Sequence, residues 1–175
     1  RNPERGETPM TIKDMLLPEF DHEMGTTRRL LERVPAGSLA WKPHEKSMSL
    51  GQLATHVADV PHWGAIALQT TEFDLGTHGA GQPEAGSPAA ILSIFEQNVG
   101  TMRAHLEQAA GDGDLLVRWT LKKDGQEVFS MPRLGVLRTM VMNHLIHHRG
   151  QLSVYLRQNN VPLPAIYGPT ADEPQ

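Results

Sequence analysis

Apolar residues return at three- and four-residue steps along four separate stretches of the chain, which is the period of a helix that buries one face. Leu17, Phe20, Met24, Leu31 and Val34, with Thr27 filling one step, predict a first helix over 11–34, closed by Pro35-Ala36-Gly37. Ser47 or Ser49 offers an N-cap for a second helix over 50–70. Gly, Pro, Ala and His crowd 76–88, which predicts a loop. Ser87-Pro88 then opens a third helix to about residue 110, carrying Ile91, Ile94, Phe95, Met102 and Leu106 and stopped by Gly111-Asp112-Gly113.

The period changes over 115–131, where Val117, Trp119 and Leu121 alternate with polar residues and Asp124-Gly125 is a hairpin turn signal. A short two-stranded appendage is expected there, between the third and fourth helices. Pro132 opens the fourth helix, which runs to about 159, and the proline-rich stretch from Val161 predicts an irregular strap. Four amphipathic helices of this length predict an all-α four-helix bundle, and the long 76–88 connection does not force a simple up-down-up-down order. With no internal repeat and no long linker, one domain over 10–170 is expected. Residues 1–9 form a polar extension before Met10, itself a possible start, and 171–175 form a tail.

Composition narrows the chemistry. Hydrophobic residues make up 39% and charged residues 21%, enough apolar material to bury a core and no sign of a disordered chain. No apolar run approaches the roughly 20 residues a bilayer requires, and 1–9 hold no signal-peptide core, so no membrane association and a cytoplasmic location are expected. A net charge of −4 disfavours a nucleic-acid binder that relies on broad phosphate neutralisation. There is no cysteine, so a metal would be held by His, Asp, Glu or backbone oxygen, and thiol chemistry would need a thiol from outside.

Histidine is where the sequence speaks most directly. At 100° per residue, His144 and His148 fall inside the apolar face of the fourth helix, about 50° and 10° from its centre, with His147 on its margin and Gln151 facing inward. One helical turn separates His144 from His148, so both can reach one ion. By itself the pair equally fits two core histidines satisfied by side chains or water. On the second helix His56 lies at the edge of the inward face set by Leu53, Val57 and Val60, while His62 points out. Two inward imidazoles on one helix and one on another match a three-ligand site with open positions. His105 also falls on an inward stripe, where a satisfied core histidine is the expected role. His22 points outward, and His44 and His78 lie in loops. Asp59, one turn after His56, is a candidate acceptor for an imidazole N–H. Trp63 is expected to pack and could wall a pocket, and Arg149 is expected to hold a neighbouring carboxylate or carbonyl.

Several motifs fall together in order. They are Leu30-Leu31-Glu32-Arg33-Val34-Pro35; Trp41-Lys42-Pro43-His44 with Ser49-Leu50-Gly51-Gln52-Leu53 and His56; Asn143-His144 with His147-His148-Arg149-Gly150-Gln151-Leu152; and Leu163-Pro164-Ala165-Ile166-Tyr167-Gly168. In these the chain resembles the DinB-like (YfiT-like) metalloproteins, the histidine block with an upstream histidine being the specific part. The resemblance implies a four-helix bundle with an unusual connection order and His56, His144 and His148 as ligands of one divalent metal ion, zinc or nickel. It also implies a homodimer. The family name refers to induction by DNA damage, hence an expected tie to stress response. Some relatives resemble metal-dependent transferases that use a low-molecular-weight thiol. The expected function is therefore a metal-dependent thiol transferase acting on a small molecule. A metal-dependent hydrolase, with Asp59 or His147 as base, and a non-catalytic metal-binding protein stand as alternatives.

Overall fold

The computed structural model describes residues 10–79 and 83–174, so the extension expected over 1–9 and the last residue of the expected tail lie outside the described residues, as does the middle of the 76–88 loop. Its helices are α1 (Ile12–Leu31), α2 (Leu50–Gln69), α3 (Leu75–His78), α4 (Pro88–Gln108), α5 (Asp112–Leu116), α6 (Arg133–Val136) and α7 (His144–Gln158). A π-helical segment, Leu137–Asn143, joins α6 to α7, so the expected fourth helix is one continuous rod of three parts.

The starts of the long helices are set by local chemistry. Thr11 and Ser49 each accept a backbone N–H three residues on, and Asp14 and Gln52 return the bond to the cap, so both are capping boxes. Ser87 caps α4 ahead of Pro88, whose missing N–H costs nothing in the first turn.

The four long helices form a bundle. α4 and α7 each pack between α1 and α2, so the consecutive helices α1 and α2 occupy opposite corners and the simple neighbour-to-neighbour order is broken. Leu30, Leu50, Leu145, Leu152 and Leu156 are fully buried along the bundle axis. Each such side chain contributes about 1.5–3 kcal/mol by leaving water. Met102 of α4 packs directly over Gly64 of α2: a Cβ at 64 would stand 2.3 Å from Met102 Sδ, so the methionine end would have to move aside.

The expected hairpin is present as β2 (Arg118–Lys123) and β3 (Gln126–Pro132), joined by Asp124 and Gly125 with φ of 52° and 78°. Two successive left-handed residues are what a tight hairpin turn demands. Pro132 ends β3 as well as preceding α6. A third strand, β1 (Glu72–Asp74), pairs parallel with β2 and makes a three-stranded sheet in the order β1-β2-β3. Asp74 ties the end of β1 to the hairpin turn beside it: its carboxylate accepts the N–H groups of Gly125, Gly76 and Asp124, and these bonds lower its pKa. The expected loop thus begins with a helical turn, α3. Beneath the sheet, Ala67, Trp119, Leu121 and Val136 form a second small core, and Trp119 donates its indole N–H to Thr70 Oγ1.

The strap after α7 is irregular and fastened by side chains. Asp172 pairs with Arg157 and accepts the Leu163 N–H; Glu173 pairs with Arg33 and accepts the Ala165 N–H. No helix among the described residues is long and apolar enough to cross a membrane.

Candidate metal centre

His56 sits two turns into α2; His144 opens α7 and His148 stands one turn further on. The bundle order makes α2 and α7 neighbours, and that contact brings the three rings together. His144 Nε2 lies 3.2 Å from His56 Nε2 and 2.9 Å from His148 Nε2. One ligand atom from each residue falls within 4.8 Å of the others, and all three side chains are partly buried.

The protons can be placed from the partners. His144 Nδ1 is 3.2 Å from the carbonyl of Met140, in the π-helical segment, and His148 Nδ1 is 2.7 Å from Gln151 Oε1. Both oxygens only accept, so both Nδ1 atoms carry hydrogen. In the neutral rings the two Nε2 atoms then present lone pairs to each other at 2.9 Å. With the Gln151 oxygen turned to His148, the two facing acceptors make no hydrogen bond with each other, and a shared cation would satisfy both.

A proton is poorly suited to that place. Burial, then the neighbouring His148 and His144, push the His56 pKa down to about 4. Burial likewise lowers that of His148, against the opposing pull of Gln151. Neutral imidazole is the form that ligates late first-row ions. Tetrahedral coordination at 2.0–2.1 Å would separate the nitrogens by roughly 3.3 Å, only a few tenths from the contacts seen here. The arrangement therefore fits a divalent ion, with each placed Nδ1–H held by an oxygen outside the cluster as ligating histidines require.

The remaining expected residues fall as follows. Gln151 is exposed, although the wheel faces it inward; its amide nonetheless reaches back one turn to orient His148. His147 is exposed, its ring 4.9 Å from that of His148, and is not one of the converging three. His105 is half-buried and pairs with the Gln69 amide on α2, outside the cluster. His22, His44, His62 and His78 are exposed. Asp59 is buried one turn beyond His56.

Arg149 is only 1% exposed and does hold a carboxylate and a carbonyl, with Tyr167 of the strap against it. Its Nη2 pairs with Glu23 Oε2 at 2.7 Å and donates to the Tyr167 hydroxyl at 2.6 Å, which itself donates to Glu23 Oε2 at 2.8 Å. Nη1 donates to the Glu23 carbonyl and to Thr27 Oγ1. Burial and the bond to Glu23 raise the pKa of the Tyr167 phenol. Sequence reading missed Glu23 and Tyr167 as its partners. The available signal was an acidic residue lying between Phe20, Met24 and Thr27 on the apolar stripe of α1.

Comparison with known proteins agrees with this architecture. The uncharacterized protein YrdA of Bacillus subtilis (strain 168) is 28% identical over 162 residues, covering 91% of this chain and 90% of that protein. YjoA of the same organism is 23% identical over 150 residues, 85% and 92% of the two chains. The crystal structure of a DinB-like protein from Bacillus cereus ATCC 10987 superposes with a TM-score of 0.70 at 23% identity, over 91% of this chain and 100% of that one. That of YjoA superposes with a TM-score of 0.63 at 22% identity, over 83% and 92%. The sequence model of the DinB family matches residues 10–175, with the bundle and the histidine cluster both inside the match, and the chain belongs to the DinB family.

Proposed function

We propose that His56, His144 and His148 hold one divalent metal ion, zinc or nickel, through their Nε2 atoms, and that the protein is a metal-dependent transferase using a low-molecular-weight thiol. The observation that carries this reading is the convergence of the three imidazoles, with two of the Nδ1 protons fixed on Met140 O and Gln151 Oε1. Three neutral protein ligands leave coordination positions for a reactant, and an ion held there favours the deprotonated form of a thiol or water near neutral pH. The chain's own residues supply the frame. α2 and α7 fix the ligands, Gln151 sets the His148 tautomer, and the absence of cysteine leaves the thiol to be supplied from solution. A hydrolase is the second reading, favoured by the exposed His147 ring beside His148, where it could accept a proton from water.

Mass spectrometry of metal in tag-free protein, wild type beside His148→Ala, tests the centre. About one divalent ion per chain, lost in the variant, is expected. No metal after reloading with zinc, nickel and manganese would overturn it. Incubation of the loaded protein with small thiols and a panel of electrophiles separates transfer from hydrolysis. Loss of electrophile without thiol consumption favours hydrolysis. Cobalt-substituted protein whose d–d bands ignore added thiol and azide would indicate a closed, non-catalytic centre.

A further inference from the structure

Met140 faces two ways. It lies in the π-helical segment, four residues before His144. Its side chain is half-buried and packs against the small core beneath the sheet, where Trp119, Leu121 and Val136 meet. Its carbonyl lies 3.2 Å from His144 Nδ1, in the histidine cluster. One residue therefore touches both the sheet's core and a ring of the candidate metal centre.

The winding leaves that carbonyl to the ring. In a regular α-helix the His144 backbone N–H would donate to Met140, four residues back. Here it donates to the carbonyl of Val141, three residues back. Met140 O thus keeps a lone pair for the imidazole N–H. The bond matters because a neutral imidazole bares only one of its two nitrogens, and the partner of the other decides which. With Nδ1–H held, Nε2 is bare and faces His56 and His148. With the proton on Nε2 instead, that atom would offer the cluster no lone pair. Met142 gives a comparison within the same segment. It is 2% exposed and packs into the bundle core, not the core beneath the sheet. Of this segment's carbonyls it is Met140's that meets a histidine ring.

We propose that Met140 is a positioning residue for the histidine cluster. The sheet's core holds its side chain, its carbonyl holds the His144 Nδ1–H, and His144 Nε2 is thereby kept bare and turned toward the other two rings. The consequence for metal affinity rests on the function proposed above; the consequence for the His144 proton does not.

Two measurements on the full chain test it. Long-range proton–nitrogen NMR of metal-free protein reads the His144 tautomer, and competition with a chelating dye reads zinc affinity. Wild type is expected to carry the His144 proton on Nδ1. Met140→Ala removes the anchor and should admit the Nε2–H tautomer and weaken zinc binding about tenfold, the low end for losing an imidazole's outer partner. Met140→Leu refills the sheet's core and should restore both. Met142→Ala cuts a more deeply buried side chain and should lower stability to urea, while leaving the His144 tautomer and the zinc affinity at wild-type values. Met140→Ala with the wild-type tautomer and affinity would overturn the proposal, as would Met142→Ala that disturbs both equally. A wild-type His144 protonated on Nε2 would overturn it without any variant. Wild type that takes up no metal would overturn the metal reading alone, because the tautomer in Met140→Ala still decides this one.

Discussion

Residues 148 and 149 are neighbours in sequence and open onto two polar clusters in the same bundle that are built on opposite plans. Arg149 enters a closed one: Glu23, Thr27 and Tyr167 share its donors, and the positive charge faces its counter-charge at 2.7 Å. His148 enters an open one, in which its Nε2 and that of His144 face each other at 2.9 Å with both Nδ1 protons already committed elsewhere. Burial of polar groups is common to both, so burial alone does not mark a site. The distinction lies in whether the group completes its bonding within the protein. Arg149 does, and holds α1, α7 and the strap together. The histidines do not, and their unmet capacity points at one place in space.

The contrast can be broken first at its closed half. Arg149→Ala leaves Glu23 buried without its cation and is expected to cost about 3–5 kcal/mol in urea unfolding. A loss near zero would mean that the strap opens and lets water in. The open half should behave differently. His148→Ala is expected to leave metal-free stability close to wild type, while removing the stabilisation by added metal, about 2.7 kcal/mol at 100 times Kd. Thermal unfolding with and without zinc reads this directly. Gln151→Ala removes only the oxygen that holds the His148 ring, and a 10–100-fold fall in metal affinity is expected by competition with a chelating dye. The smallest effect concerns acid. The folded pKa of His56 lies near 4, below the usual 6.5, so between these values the unfolded chain binds the proton and the folded chain does not. Its contribution to metal-free stability is therefore complete above pH 6.5 and is lost as pH falls toward 4. His56→Gln should flatten that part of the stability curve, though only partly, since the ring is half in solvent.

Much of this was legible because it is periodic or local. Thr11, Ser49 and Ser87 mark helix starts in the order of residues, Asp124-Gly125 marks the hairpin, and His144 and His148 share a face within one regular helix. What escaped was what depends on distant pairing or irregular winding. β1 is three residues long and exists because β2 lies alongside, which no period of its own could reveal. The π-helical segment breaks the even 100° advance. On that advance Met142 falls off the inward face by more than about 100°, yet it is buried in the bundle core, while Val136, equally far off, is buried by the sheet instead. The same winding ends at His144, and its Met140 carbonyl holds the His144 proton, so an irregularity invisible to the wheel serves the site. Arg149 read as holding a carboxylate or carbonyl, but its partners could not be named because, 126 and 18 residues distant, they lie on α1 and the strap.

The corner-to-corner placement of α1 and α2 has a kinetic side. His56 and His144 are 88 residues apart, and the long helix α4 and the whole sheet are threaded between them. Closing so large a loop is entropically expensive and belongs to the slow, non-local part of assembly. The three nitrogens can come together only once α7 has docked against α2. Uptake of a coloured ion such as cobalt during refolding is therefore expected to time that long-range step, later than the burst of helix formation seen by far-ultraviolet dichroism.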